Sequence, residues 1–114
     1  MRHRICATVV VCLACTTAVF ATPPESIKLD YDSKEKILHI EVTHVTHNLR
    51  QHHLRRIMIS RNGEEVGTIN MTTQTTPSSV LLDAPLEANP GDKITVEAQC
   101  NKSGPREETL IIPQ

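Results

Sequence analysis

Aromatic side chains are almost missing from this chain. Its 114 residues include one Tyr, one Phe and no Trp, and the Phe, Phe20, falls within the first twenty-one residues. A core built without aromatic bulk has to be aliphatic, and aromatic-lined pockets for sugars or nucleotides are not expected. Long apolar runs are lacking too. The longest, Ile5 to Phe20, spans sixteen uncharged residues, short of the roughly 20 needed for a helix to cross a bilayer. There is no large excess of charge of either sign, so nothing asks for nucleic acid. Arg50, Arg55 and Arg56 form a local basic spot, but no aromatic ring stands beside them to stack on a base. They are read as a solvated face.

What is present begins with an export leader. Arg2 and Arg4 precede the apolar run, and Val19-Phe20-Ala21 closes it with a small residue before Thr22-Pro23-Pro24. This is the pattern of a secretory signal cleaved after Ala21. A lipoprotein reading with Cys15 as the anchor ranks second, because Cys12 sits where an aliphatic residue is expected. The mature chain, residues 22–114, is long enough for one domain. Without Arg2 and Arg4 it holds ten basic and thirteen acidic residues, a net charge of −3. Cys6, Cys12 and Cys15 leave with the leader, so Cys100 is alone. The mature domain can form no internal disulfide, and an unpaired cysteine in an exported protein calls for a role as ligand, intermolecular bridge or buried thiol.

The rest of the chain alternates strand patterns with turn chemistry. Ile27 to Tyr31 alternates apolar with charged residues before a turn at Asp32-Ser33-Lys34. Leu38, Ile40 and Val42 share one face of the next strand, opposite His39, Glu41 and Thr43. His53 to Arg61 leads into Asn62-Gly63, a strong short hairpin signal, and Glu64 to Thr72 returns. Val80-Leu81-Leu82 reads as a short buried run. Asn89-Pro90-Gly91-Asp92 fits a tight turn, after which Ile94, Val96, Ala98 and Cys100 alternate with polar residues. Thr109 to Ile112 closes the set. About seven short antiparallel strands predict an all-β, immunoglobulin-like sandwich over residues 22–114, with His44 to His53 as a loop.

Two features carry chemistry. Cys100 faces inward at the end of its strand, which suits either a small core residue or a strand-end ligand. Five of the six histidines lie between His39 and His53, and none of His44, His47, His52 or His53 falls at a clear core position of the pattern. Loop imidazoles at strand ends can be aimed at one point while the strands hold the backbone. Thiolate and imidazole together suit iron, zinc or copper.

These residues resemble the iron domain of desulfoferrodoxin and superoxide reductase, an immunoglobulin-like sandwich with a mononuclear ferrous site. The likeness runs from His39 to Ile112. One family motif is a loop histidine followed by a second that opens a strand of the type His-aromatic/His-Ile-x-x-Ile; here His52-His53-Leu54-Arg55-Arg56-Ile57 stands in that place. The other is Cys-Asn-x-His-Gly, matched by Cys100-Asn101-Lys102-Ser103-Gly104. The resemblance implies His52 as a loop ligand, His44 or His47 as another, and Cys100 as the axial thiolate of a non-haem iron. It also implies superoxide-reductase activity fed by a redox donor. Two departures stand out: Ser103 replaces the final motif histidine, and no histidine lies between Pro23 and Lys36 to match the family's early ligand. The expected site is therefore degenerate, two imidazoles short of four.

The chain is also similar to the small partner subunit of the periplasmic thiosulfate-oxidation carrier complex. That likeness rests on His44 or His47, His52-His53-Leu54, Asn62-Gly63 and Gly91-Asp92. It implies a metal-free interaction module in which the histidine loop is an interface. The export leader places the protein in the periplasm or outside the cell. The sequence leaves open the donor, the protein partner and a homo-oligomer.

Overall fold

The computed structural model describes residues 24–74 and 76–114. The expected leader, with Cys6, Cys12, Cys15 and the cleavage point at Ala21, lies outside them. Seven strands follow one another: β1 (Ser26–Asp32), β2 (Ile37–Thr43), β3 (Leu54–Arg61), β4 (Glu64–Asn70), β5 (Ser79–Pro85), β6 (Lys93–Cys100) and β7 (Pro105–Ile111). They form two antiparallel sheets, β1-β2-β5 and β4-β3-β6-β7. This is the all-β sandwich the alternation predicts. Among the described residues no helix is long and apolar enough to cross a membrane.

Each sheet turns its aliphatic stripe inward. Leu38, Ile40 and Val42 of β2 meet Ile57 and Ile59 of β3 and Ile94, Val96 and Ala98 of β6 in one core. Burial of such side chains contributes about 1.5–3 kcal/mol each, and this supplies what aromatic rings would otherwise provide. Tyr31, the one aromatic of the core's margin, donates its hydroxyl to Leu86 O at 2.7 Å and accepts from Ala88 N at 3.3 Å. Those bonds tie β1 to the segment after β5.

Turn chemistry sets the register. Asn62 and Gly63 both have positive φ, 52° and 87°, the conformation of a hairpin whose twist matches its strands. The Asn62 side chain also accepts from Lys93 N (2.9 Å) and donates to Asp92 (3.1 Å), so the β3–β4 turn is pinned to the start of β6. Gly91 takes φ 89° after Pro90, with Asp92 N bonded to Asn89 O at 3.0 Å. The Asp92 carboxylate in turn accepts from Asn89 N at 2.8 Å. That bond and the one from Asn62 hold its carboxyl below the usual carboxylate range.

Three expectations need correction. Leu81 is 71% exposed on the outer face of β5, because an edge strand with one face to solvent buries alternate residues only, here Val80 and Ala84. The last strand opens at Pro105 rather than Thr109, since Arg106 to Glu108 pair with β6 although they bury nothing. The third is the start of β3, expected at His53 and found at Leu54; Leu54 and Ile57 are three residues apart yet both buried. A bulge between Leu54 and Arg56 absorbs the odd residue, so Leu54 pairs with Cys100 and Ile57 with Ala98.

On the outer face of β2, His39 stands between Asp30 and Asp83 in the cross-strand register. Its Nδ1 lies 2.5 Å from an Asp83 carboxylate oxygen. This hydrogen bond is the main reason its pKa is raised, helped by the charges of Asp83, Asp30 and Asp32 against a desolvation that lowers it. A raised folded-state pKa stabilises the fold below the unfolded imidazole value of about 6.5 and ceases to do so as pH climbs through the folded value. Replacing His39 with Gln should therefore lower the urea midpoint in acid, and the gap to the wild type should close on the alkaline side. A gap that does not vary with pH would be inconsistent with this pairing.

Candidate metal centre

The two inward stripes run out at the same end of the sandwich, and there their chemistry changes. The alternation Leu38, Ile40, Val42 continues beyond β2 through His44 and Thr46, both buried. The backbone is held in this extension by His44 N to Ser78 O (2.9 Å) and Thr46 N to Pro77 O (2.8 Å). On the facing sheet, Ile94, Val96 and Ala98 lead to Cys100, 3% exposed. Each stripe thus ends in a metal-ligating side chain.

The loop between β2 and β3 supplies a third. Asn48 caps a tight turn, accepting at Oδ1 from the N–H groups of Arg50 (3.2 Å) and Gln51 (3.1 Å), while His52 N donates to Asn48 O at 2.8 Å. The Thr46 hydroxyl donates to His52 O at 2.6 Å. The half-buried His52 ring meets His44 edge to face, with centroids 4.7 Å apart and planes at 87°.

Asn101 locks this loop to the end of β6. Its Nδ2 donates to Gln51 O at 2.9 Å, its Oδ1 accepts from His53 N at 2.9 Å, and its own N–H donates to His53 O at 3.1 Å. The two residues flanking His52 are therefore fastened to the residue after Cys100. Behind His44 lies Gln74, 2% exposed, with Oε1 2.8 Å from His44 Nδ1.

One ligand atom each from His44, His52 and Cys100 falls within 4.8 Å of the other two. Three atoms spread around one ion at about 2.1 Å (nitrogen) and 2.3 Å (sulfur) lie roughly 3.3–3.8 Å apart, so side-chain shifts of up to about an ångström would bring all three onto a common centre. Two further observations fit a metal. His44 Nε2 is buried with no hydrogen-bond partner, a costly state for a polar atom in water-free surroundings. Cys100 Sγ accepts from Lys102 N at 3.4 Å, a contact that suits a thiolate. Two imidazoles and a thiolate are a donor set for a borderline transition ion.

The expected site residues thus separate. His44, His52 and Cys100 converge, whereas His47 is exposed on the loop, and between the two alternatives for the first loop position the geometry groups His44 with the others. His44 and His53 are buried, against the reading that none of the loop histidines takes a core position; the stripe of β2 simply extends past Thr43. His39 points outward to Asp83, away from the loop. Ser103, which stands where a motif histidine was expected, is half-buried, with an Oγ lacking any hydrogen-bond partner. Gln74 and the clamp formed by Asn101 were not read from sequence. Continuing the alternation to His44 and Thr46 would have placed His44 inside, but no local signal marks Gln74 within its Thr-rich segment.

In its fold the chain is similar to superoxide reductases of known structure. Neither protein-family models nor curated protein sequences match the chain. Among solved structures, the superoxide reductase (neelaredoxin) from Ignicoccus hospitalis is similar at TM-score 0.54 and 15% identity, over 79% of this chain and 80% of that one. A hypothetical protein from Pyrococcus horikoshii OT3 is similar at TM-score 0.54 and 18% identity, over 78% and 88%. A superoxide reductase in the oxidised state gives TM-score 0.50 and 16% identity, over 80% and 90%. At such identities the likeness is one of fold, and the resemblance read from the motifs is borne out at that level.

Asn101→Ala removes both side-chain bonds around His52. It should cost about 1–3 kcal/mol of stability and weaken metal binding about 10- to 100-fold. Urea denaturation and chelator competition would measure the two effects. Unchanged affinity would show that His52 is held by other contacts.

Proposed function

We propose that this chain is an exported, mononuclear metal-binding domain of the superoxide-reductase type, with iron as its metal and His44, His52 and Cys100 as its protein ligands. The convergence of these three donors at one end of a superoxide-reductase fold carries the reading. Iron bound there would supply one-electron chemistry, the exchange between ferrous and ferric states by which superoxide, one electron and two protons give hydrogen peroxide.

The residues' own contributions follow from their settings. Cys100 brings a negative charge to the centre, and the Lys102 N–H stabilises that charge. His44 is wholly buried and closes the inner side against water. His52, half-buried at the loop, forms the solvent side, where a small anion would approach. The set is two imidazoles short of what the resemblance implies, with Ser103 in place of one. Fewer nitrogen donors hold a ferrous ion more weakly and leave positions for water, so turnover of superoxide should be slow and binding should depend on metal supply.

The exported form should begin at Thr22 by mass analysis of secreted or periplasmic protein; retention of residues 1–21 would defeat the export reading. Protein supplied with ferrous iron under anaerobic conditions should bind up to about one iron per chain. Oxidation should produce a thiolate-to-iron charge-transfer band that Cys100→Ser abolishes, and Ser103→His should tighten binding about tenfold. If no metal binds at micromolar concentration, the redox reading falls. A metal-free interaction module, like the thiosulfate-oxidation partner subunit, would then take its place.

A further inference from the structure

Gln74 is a fully buried amide in the segment between β4 and β5, and all of its polar atoms are engaged. Its Nε2 donates to His44 O at 2.7 Å and to Thr76 O at 2.9 Å. Both partners are carbonyl oxygens, which can only accept, so this end of the amide must be the NH2 group. Its Oε1 then faces Leu54 N–H at 3.3 Å and His44 Nδ1 at 2.8 Å. Leu54 N–H can only donate, which fixes the oxygen end a second time. A flipped amide would set oxygen against two carbonyls and NH2 against an N–H.

The consequence passes to the imidazole. An amide oxygen can only accept, so Nδ1 of His44 must carry the proton. A neutral imidazole has one N–H, so Nε2 is left as a bare lone pair. That nitrogen is the one buried without a hydrogen-bond partner. Were the proton on Nε2 instead, Nδ1 and Oε1 would be two acceptors 2.8 Å apart, and a buried N–H would have no acceptor. The same amide grips the His44 carbonyl, so backbone and ring of one residue are held at two points. Through Leu54 it also reaches the residue paired with Cys100.

We propose that Gln74 is a positioning residue that locks His44 in the Nδ1–H tautomer and so presents Nε2 to a metal shared with His52 and Cys100. The role in metal binding rests on the ligand set proposed above; the lock itself does not.

The test uses the full chain, freed of metal by chelation, in mildly alkaline buffer. Long-range proton–nitrogen spectra, with His44 assigned through His44→Asn, read the tautomer directly. Co2+ titration, followed by its thiolate charge-transfer absorption, reads affinity. Wild type should show the Nδ1–H tautomer alone. Gln74→Leu should populate the Nε2–H form and bind Co2+ about 10- to 100-fold more weakly. Gln74→Glu keeps an acceptor for Nδ1–H and for Leu54 N–H but no donor for the two carbonyls. It should retain the Nδ1–H tautomer despite lower stability and bind Co2+ more tightly than Gln74→Leu. This rescue would not be seen if Gln74 only filled space. An Nε2–H tautomer in wild type, or an Nδ1–H tautomer unaltered in Gln74→Leu, overturns the proposal. Should Gln74→Leu fail to fold, the wild-type and Gln74→Glu spectra still decide it. A wild type locked as Nδ1–H that binds no Co2+ would overturn the ligand set and leave the lock standing.

Discussion

A polar group taken out of water must find its partners inside the protein, and that requirement organises one end of this sandwich. Two side-chain amides do most of the work. Asn101 fastens the residues on either side of His52 to the strand end that bears Cys100, and Gln74 joins the extension of β2 to the start of β3. Each crosses between segments that are distant in sequence. Neither could meet its needs if the loop shifted by a residue, because the partners are backbone groups with fixed spacing. The hydrophobic stripes bring the two sheets together, but stripes of aliphatic side chains permit small sliding. The amides remove that freedom at the place where His44, His52 and Cys100 come together.

Much of the fold was legible because its signals are local. Leu38, Ile40 and Val42 announce a face by period alone, and Asn62-Gly63 announces a hairpin by its tolerance of positive φ. Cys100 could be placed inward because it completes the alternation of β6. Leu81 misled because an apolar residue was taken for a buried one. β7 was shortened because Arg106, Glu107 and Glu108 pair through the backbone while their side chains remain exposed. The site was half legible. The motif around Cys100 and the loop histidines pointed to the right end of the molecule, and His44 lay one step beyond where the strand was ended. Gln74 had no signal, since its meaning lies largely in its bonds to Leu54 and His44, twenty and thirty residues away.

The comparison with superoxide reductases separates two properties that are often treated as one. The backbone course is shared at 15–16% identity, since it needs only alternation, turns and volume in the core. A ligand set needs particular atoms at particular places. Here His44, His52 and Cys100 come together and Ser103 supplies no nitrogen, so the donor set has to be judged from its own residues. The same end of the sandwich would accept histidine at 103 without a change in strand order, because that position lies in the turn between β6 and β7.

The near absence of aromatic residues has an optical consequence. With no tryptophan anywhere and Tyr31 the one aromatic beyond Phe20, the folded domain is almost transparent in the near ultraviolet. Sulfur-to-metal absorption would stand on a nearly flat baseline. Tyr31 pairs with Leu38, six residues before His44 along β2 and its extension, about 20 Å at roughly 3.3 Å per residue. A single intrinsic fluorophore therefore sits at the far end of the sandwich from the ligands. It is tied to Leu86 and Ala88, so its emission reports whether that end of the sandwich is closed. Folding and metal occupancy can be followed in one cuvette as two separate spectral channels.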